Sequence, residues 1–184
     1  MTGLGKRFAE LDDDLRGFIA RQHVFFVATA PSGSDGHVNL SPKGLDGTFT
    51  LLDRTTVAYL DLIGSGIETV AHLRDNGRIV LMFCAFEGPP RVVRLHGRGE
   101  AVTPGHPDWE SLAGRFPAHP GRRAVIRVAV QRVADSCGYG VPLLRFEGER
   151  TRLTEYHEKA GPERLAEYVT TRNAESIDGL PGLL

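Results

Sequence analysis

Asn39, Ser41 and Lys43 bring an amide, a hydroxyl and an ammonium into one short stretch, Asn39-Leu40-Ser41-Pro42-Lys43-Gly44. A phosphate monoester is close to a dianion, and an ammonium beside a hydroxyl offers it charge-assisted hydrogen bonds. Pro42 restricts the backbone, while Gly44 lets it approach a ligand closely. The same residue types also suit an exposed turn at a strand end. A second stretch, Asp61-Leu62-Ile63-Gly64-Ser65-Gly66-Ile67-Glu68-Thr69, reads as a strand ending in a glycine-flanked serine before a helix. The unpaired N–H groups and the dipole of that helix's first turn attract anions, and Ser65 and Thr69 add hydroxyls. The competing reading is that Ser65 only caps the helix, with Glu68 three residues on closing a capping box.

Other chemistries find little support. None of the seven histidines forms a His-x-x-x-His pair or sits beside a cysteine at zinc-ligand spacing. There is no Gly-x-Ser-x-Gly elbow, no phosphate loop of the Walker type and no Gly-x-Gly-x-x-Gly opening a helix. Cys137, beside Gly138-Tyr139-Gly140, has no histidine close in sequence and makes a poor thiol nucleophile. Cys84 lies in an apolar run and reads as core.

Composition narrows the class further. The chain has 184 residues, 41% hydrophobic and 24% charged, which suits one globular domain. Its formal net charge of -1, with arginines scattered among acids, argues against a nucleic-acid partner. No apolar leader follows Met1, and the longest apolar run, Ile79 to Phe86, is far shorter than the ~20 residues of a membrane-spanning helix. With two distant cysteines, the expectation is a soluble, reduced, cytoplasmic protein without a membrane partner.

The elements that would position these residues follow from hydrophobic periodicity. Leu4, Phe8, Leu11, Leu15, Phe18 and Ile19 recur at helical steps and predict an N-terminal helix within residues 1–22. His23 to Ala30 reads as a strand, and His37 to Leu40 as its returning partner across a Pro-Ser-Gly turn. Thr48 to Leu52, Val57 to Leu62, Arg78 to Phe86 (the central strand), Arg91 to Val102 and Arg123 to Val133 are further strands. A short helix is expected from Ile67 to Asn76, with Val70, Ala71 and Leu73 inward, His72 on its surface and Gly77 as its stop. Another starts near Pro107, and Thr154 to Asn173 reads as helical with a break at Gly161-Pro162, before an irregular tail. Strands at short spacing with few helices predict a mainly β domain. The expected form is a six- to seven-stranded antiparallel barrel over residues 23–135, with a helical extension over 136–184.

In order and spacing these stretches resemble the pyridoxamine 5′-phosphate oxidase-like, FMN-binding split-barrel family. Three segments carry the resemblance: Val38 to Gly44, Tyr59 through Thr69 on to Phe83, and Arg91-Val92-Val93-Arg94-Leu95-His96-Gly97-Arg98-Gly99. It implies FMN as cofactor, a homodimer with FMN at the subunit interface, and a small-molecule substrate. By the same resemblance Ser41, Lys43, Ser65 and Thr69 would hold the phosphate, with Gly44 close by. Asn39 would reach the flavin's polar edge, Arg91 would start a strand near the flavin, and Cys137, Gly138 and Tyr139 would close over the ring from the partner. The Arg-x-Val-Leu-Leu-Lys and Arg-Leu-His-Asp-Arg types of segment found in true pyridoxamine phosphate oxidases are absent, so oxidation of vitamin B6 is not expected. A flavin-dependent oxidoreductase, a non-catalytic flavin-binding protein, and a deazaflavin or haem protein with His72 or His96 as ligand all remain open.

Overall fold

Apolar side chains repeating every second residue drive most of this chain into antiparallel strands that bury one face. The computed structural model describes residues 7–183. In chain order the elements are β1 (Arg7–Phe8), α1 (Asp13–Ala20), β2 (Phe25–Thr29), β3 (Asn39–Lys43), β4 (Phe49–Leu51) and β5 (Thr56–Leu62). There follow α2 (Glu68–Asn76), β6 (Arg78–Cys84), β7 (Val92–Val102), α3 (Trp109–Ala113), β8 (Arg122–Ser136) and α4 (Arg152–Arg172). The strands form one antiparallel sheet in the order β3-β2-β6-β7-β8-β5-β4, with β1 added to β8. This is the expected mainly β, split-barrel architecture.

The long strands curl the sheet. β8 pairs β7 from Val92↔Ser136 to Val102↔Val125, and its first half also pairs β5. The register shifts between His96 and Gly97, where a Cβ on Gly97 would lie 2.2 Å from the Ala129 carbonyl oxygen. Only glycine allows that approach, and the bulge bends the strand. Phe25, Tyr59 and Phe83 fill the interior, with Leu15, Phe18 and Ile19 of α1 closing it. A smaller cluster of Leu60, Leu112, Phe116 and Val125 packs beneath α3.

Several expectations shift. The N-terminal helix begins only at Asp13, because the Asp12 side chain accepts from Leu15 N at 2.8 Å and caps it, while Phe8 pairs with Val133 in the sheet. Leu4 lies outside the described residues. His72, expected on the helix surface, is buried, with its Nδ1 3.0 Å from the Thr29 hydroxyl of β2. Helix α2 lies against the sheet through more of its circumference than its apolar stripe suggests. Gly77 ends α2 with φ 69, as expected, and Gly161 breaks α4 with φ 74 and ψ 168. Cys84 is a core residue whose burial pushes its thiol pKa up.

Candidate functional site

The stretch Ser41-Pro42-Lys43 is not a turn: β3 runs through it, paired with β2 from Thr29↔Asn39 to Phe25↔Lys43. Two-residue alternation therefore puts Asn39, Ser41 and Lys43 on the half-buried face, with Leu40 and Pro42 on the exposed one. Proline is tolerated because β3 is an edge strand and needs no donor at that position. Gly44 follows directly, and a Cβ there would stand 3.1 Å from the His23 carbonyl oxygen. Across from β3, the end of β5 leads through Gly64-Ser65-Gly66 into α2. Ile67 stands at the N-cap of that helix, and no side chain caps it. Ser65 and Glu68 thus form no capping box, and the first turn of α2, with the helix dipole behind it, carries no side-chain cap.

Ser41, Lys43, Gly44, Ser65 and Thr69 all line one cavity of about 710 Å³. Beneath it lies a charged cluster. Asp61, fully buried, accepts from Lys43 Nζ at 2.9 Å through one oxygen and from Arg123 Nε at 2.6 Å through the other. Burial alone would raise the Asp61 carboxyl, but Lys43 and then Arg123 outweigh it and hold the pKa below its ordinary value. Two cations thus share one buried carboxylate here, and the Glu68 carboxylate of α2 also lines the cavity.

Hydrogen bonds orient the hydroxyls. Asn39 Nδ2 donates to Thr29 at 3.2 Å and to Thr69 at 3.1 Å, and its Oδ1 accepts from the Ser41 hydroxyl at 2.9 Å. Asn39 thus ties β2, β3 and α2 together, with both of its amide hydrogens engaged. Farther along the chain, Asn173 is buried at the end of α4. It accepts from Arg123 at 3.0 Å and donates to the Gly64 carbonyl at 3.0 Å, bracing both the guanidinium and the glycine turn.

Arg91, Cys137 and Tyr139 gather elsewhere. The Arg91 guanidinium is held by Asp14 at 2.8 Å and by Asp135 at 2.8 Å, and it lies 5.0 Å over the Phe18 ring. A Cβ on Gly138 would stand 2.8 Å from the Arg91 backbone, and Cys137 and Tyr139 beside it are exposed. None of the three lines the cavity within this chain. His72 and His96 do not line it either.

Sequence reasoning missed Arg123, Asp61 as a site residue, and Asn173. An acid between Leu60 and Leu62, and an arginine beside Ala124 and Val125, are charged residues in apolar strands. Such a residue needs a partner, and that signal was available. Asn173 carried none, since it reaches the floor only because the chain returns after α4.

Comparison with known proteins agrees with this architecture. The family model described as pyridoxamine 5′-phosphate oxidase matches residues 11–137. A curated protein of Aspergillus flavus, the pyridoxamine 5′-phosphate oxidase family protein ustO, is 40% identical over 192 aligned positions, covering 96% of this chain and 77% of the relative. Among solved structures, HupZ of group A Streptococcus in a substituted form is 25% identical with a TM-score of 0.52, over 68% of this chain and 98% of that one. The parent form of HupZ gives 25% and 0.50, over 66% and 90%.

Proposed function

This chain belongs to the pyridoxamine 5′-phosphate oxidase family, and from that premise we propose that it binds FMN and acts as a flavin-dependent oxidoreductase on a small molecule. The observation that carries this reading is the convergence of Ser41, Ser65, Thr69 and the α2 terminus on a cavity whose floor carries Lys43 and Arg123. Hydroxyls, helix N–H groups and two cations are the donor set a phosphate monoester requires. The cavity also falls within the range of about 300–1,000 Å³ usual for cofactor sites.

FMN, when bound, supplies hydride or electron transfer at its ring system. The chain's own residues bind and orient. Ser41, Ser65, Thr69 and the first turn of α2 hold the phosphate, and Lys43 and Arg123 supply charge that Asp61 and Asn173 have already fixed in place. Thr69, whose oxygen accepts from Asn39, keeps its proton free for a phosphate, whereas Ser41 must turn its hydroxyl from Asn39 Oδ1 to donate. Asp61, kept ionised between two cations, stabilises charge and does not shuttle protons.

A second copy of the chain completes the reading. Val38 and Leu40 are 75% and 63% exposed beside and on edge strand β3, and Tyr139 and Leu143 are 82% and 76% exposed on the segment after β8. Apolar groups of this size suit burial between two subunits, and Arg91, Cys137 and Tyr139 would then face the partner's flavin. Asp61, engaged by two cations, is not available as a base, which also favours a second reading as a non-catalytic flavin carrier. Absorption spectroscopy and thermal shift decide the central point: the protein should carry flavin bands and be stabilised by FMN well beyond riboflavin. Absence of both effects overturns the proposal. Anaerobic bleaching by NADPH or a substrate separates the enzyme from the carrier.

A further inference from the structure

Arg150 and Arg152 line the same cavity as the phosphate-type floor, but nearer solvent. Depth separates the two groups: the side chains of Arg123 and Lys43 are 5% and 23% exposed, whereas Arg150 and Arg152 are both in the exposed class. Pairing separates them as well. Arg91, Arg123 and Arg127 are each held by carboxylates, whereas among the described residues neither Arg150 nor Arg152 has a carboxylate within salt-bridge distance.

The segment that carries these arginines is fastened at both ends. Before them, Phe146 stacks on His23 with ring centroids 3.7 Å apart, and its N–H donates to the Glu87 carboxylate at 3.0 Å. After them, His157 Nε2 donates to the Ile63 carbonyl at 2.9 Å, and Thr154 meets His119 at 3.2 Å. Residues 148–153 therefore form a strap on the exposed side of the cavity, its mouth, and Val24, Leu60 and Leu153 add apolar wall. The strap lies beyond residues 11–137, the part matched by the family model.

We propose that Arg150 and Arg152 form a second anion subsite at the cavity mouth, which takes the carboxylate of a small substrate with a planar or apolar body; this rests on reading the floor as the FMN phosphate cradle. Glu149 also lines the mouth, so two cations stand against one acid there, and a monoanion matches that charge better than a dianion. Guanidinium forks pair well with a carboxylate, and the apolar wall receives the body.

The test is calorimetric titration of benzoate, and of its neutral counterpart benzamide, into the protein with and without FMN. Benzoate should bind saturably to the FMN-loaded protein, with benzamide at least about tenfold weaker because the charge-assisted pair is lost. The double variant Arg150→Ala, Arg152→Ala should bind benzoate about tenfold more weakly while its FMN affinity stays within about twofold. Equal binding of benzamide, no benzoate binding, or an unchanged double variant overturns the subsite. So does a tenfold loss of FMN affinity in the double variant, which would assign both arginines to the cofactor. If the wild-type protein takes up no FMN, the proposed function fails instead, and benzoate binding to the FMN-free protein then decides the subsite alone.

Discussion

Asp61 and Arg123 meet as a buried ion pair, with the Arg123 Nε 2.6 Å from one carboxylate oxygen and the acid wholly enclosed. The pair joins β5 to the start of β8 at the floor of the cavity, and Lys43 brings β3 to the same carboxylate. Three strands distant in sequence thus share one buried charge, which makes the floor rigid and its replacement costly.

Asp61→Asn should therefore destabilise the protein by about 3–5 kcal/mol, since it leaves Arg123 and Lys43 with no compensating anion. Urea unfolding measures this directly. A loss below about 1 kcal/mol would mean that the cluster is solvated and does not organise the site.

Acid should reveal the same residue. The folded-state pKa of Asp61 is held below its ordinary value of 3.8: burial opposes this, but Lys43 and Arg123 prevail. For a depressed carboxyl, the stabilisation is present above the unfolded pKa and is lost as pH falls through the folded one. Stability should thus drop below about pH 4, and Asp61→Asn should flatten that limb of the profile.

His157 responds in a different window. Burial depresses its pKa from 6.5, against the opposing effect of the Ile63 carbonyl. Its Nδ1 is buried without a partner, packed against Gly121, where a Cβ would stand 2.1 Å from it. A second ring proton has nowhere to bond, so the neutral ring is the folded form. Stability from this group is complete above 6.5 and is lost as pH falls toward the folded pKa. His157→Phe should cost about 1–3 kcal/mol at pH 8 through the orphaned Ile63 carbonyl, and should shallow the slope below neutrality. His119, also depressed by burial and by His157, will leave some slope behind. An identical slope in the variant would remove His157 from the account.

Asn173→Ala breaks the bonds to Arg123 and to the Gly64 carbonyl. One of them is charge-assisted, so a stability loss of about 2–3 kcal/mol is expected by thermal or urea unfolding. FMN should bind more weakly as well, because the Gly64 turn loses its brace. Unchanged FMN affinity in a destabilised variant would show that the brace serves the fold alone.

Gly97→Ala places a Cβ 2.2 Å from the Ala129 carbonyl oxygen, which belongs to the paired strand and cannot turn away. A loss of about 3 kcal/mol is expected from forcing the two backbones apart. Gly33, which has nothing within 4 Å, serves as control, and Gly33→Ala should stay within about 0.5 kcal/mol of the parent.

Much of this site is legible in the residues themselves. Ser41 and Lys43, two apart on a strand, share a face, and the glycine-flanked Ser65 before a helix marks the second anion stretch. Both stretches do reach one cavity. Less legible was how they reach it. Pro42 suggests a turn, yet β3 runs through it, because an edge strand has one side that needs no donor. Ser65 suggests a cap, yet Ile67 holds that position and the α2 terminus stays open. The apolar stripe of α2 left His72 outside, yet Thr29 draws it into the core.

Periodicity, turn residues and charge count are local quantities, and from them the chain by itself determined its β-rich class, its short helices, the Gly161 break and two anion-prone stretches. Only the tertiary structure decided that Asp61 would join Lys43 to Arg123, that Asn173 would return from the far end of the chain to brace them, and that Arg91 would stand apart in its own ion pairs. The physical reason is that an ion pair or a buried amide bond depends on which groups meet at about 3 Å, and strand order sets those meetings, not spacing along the chain.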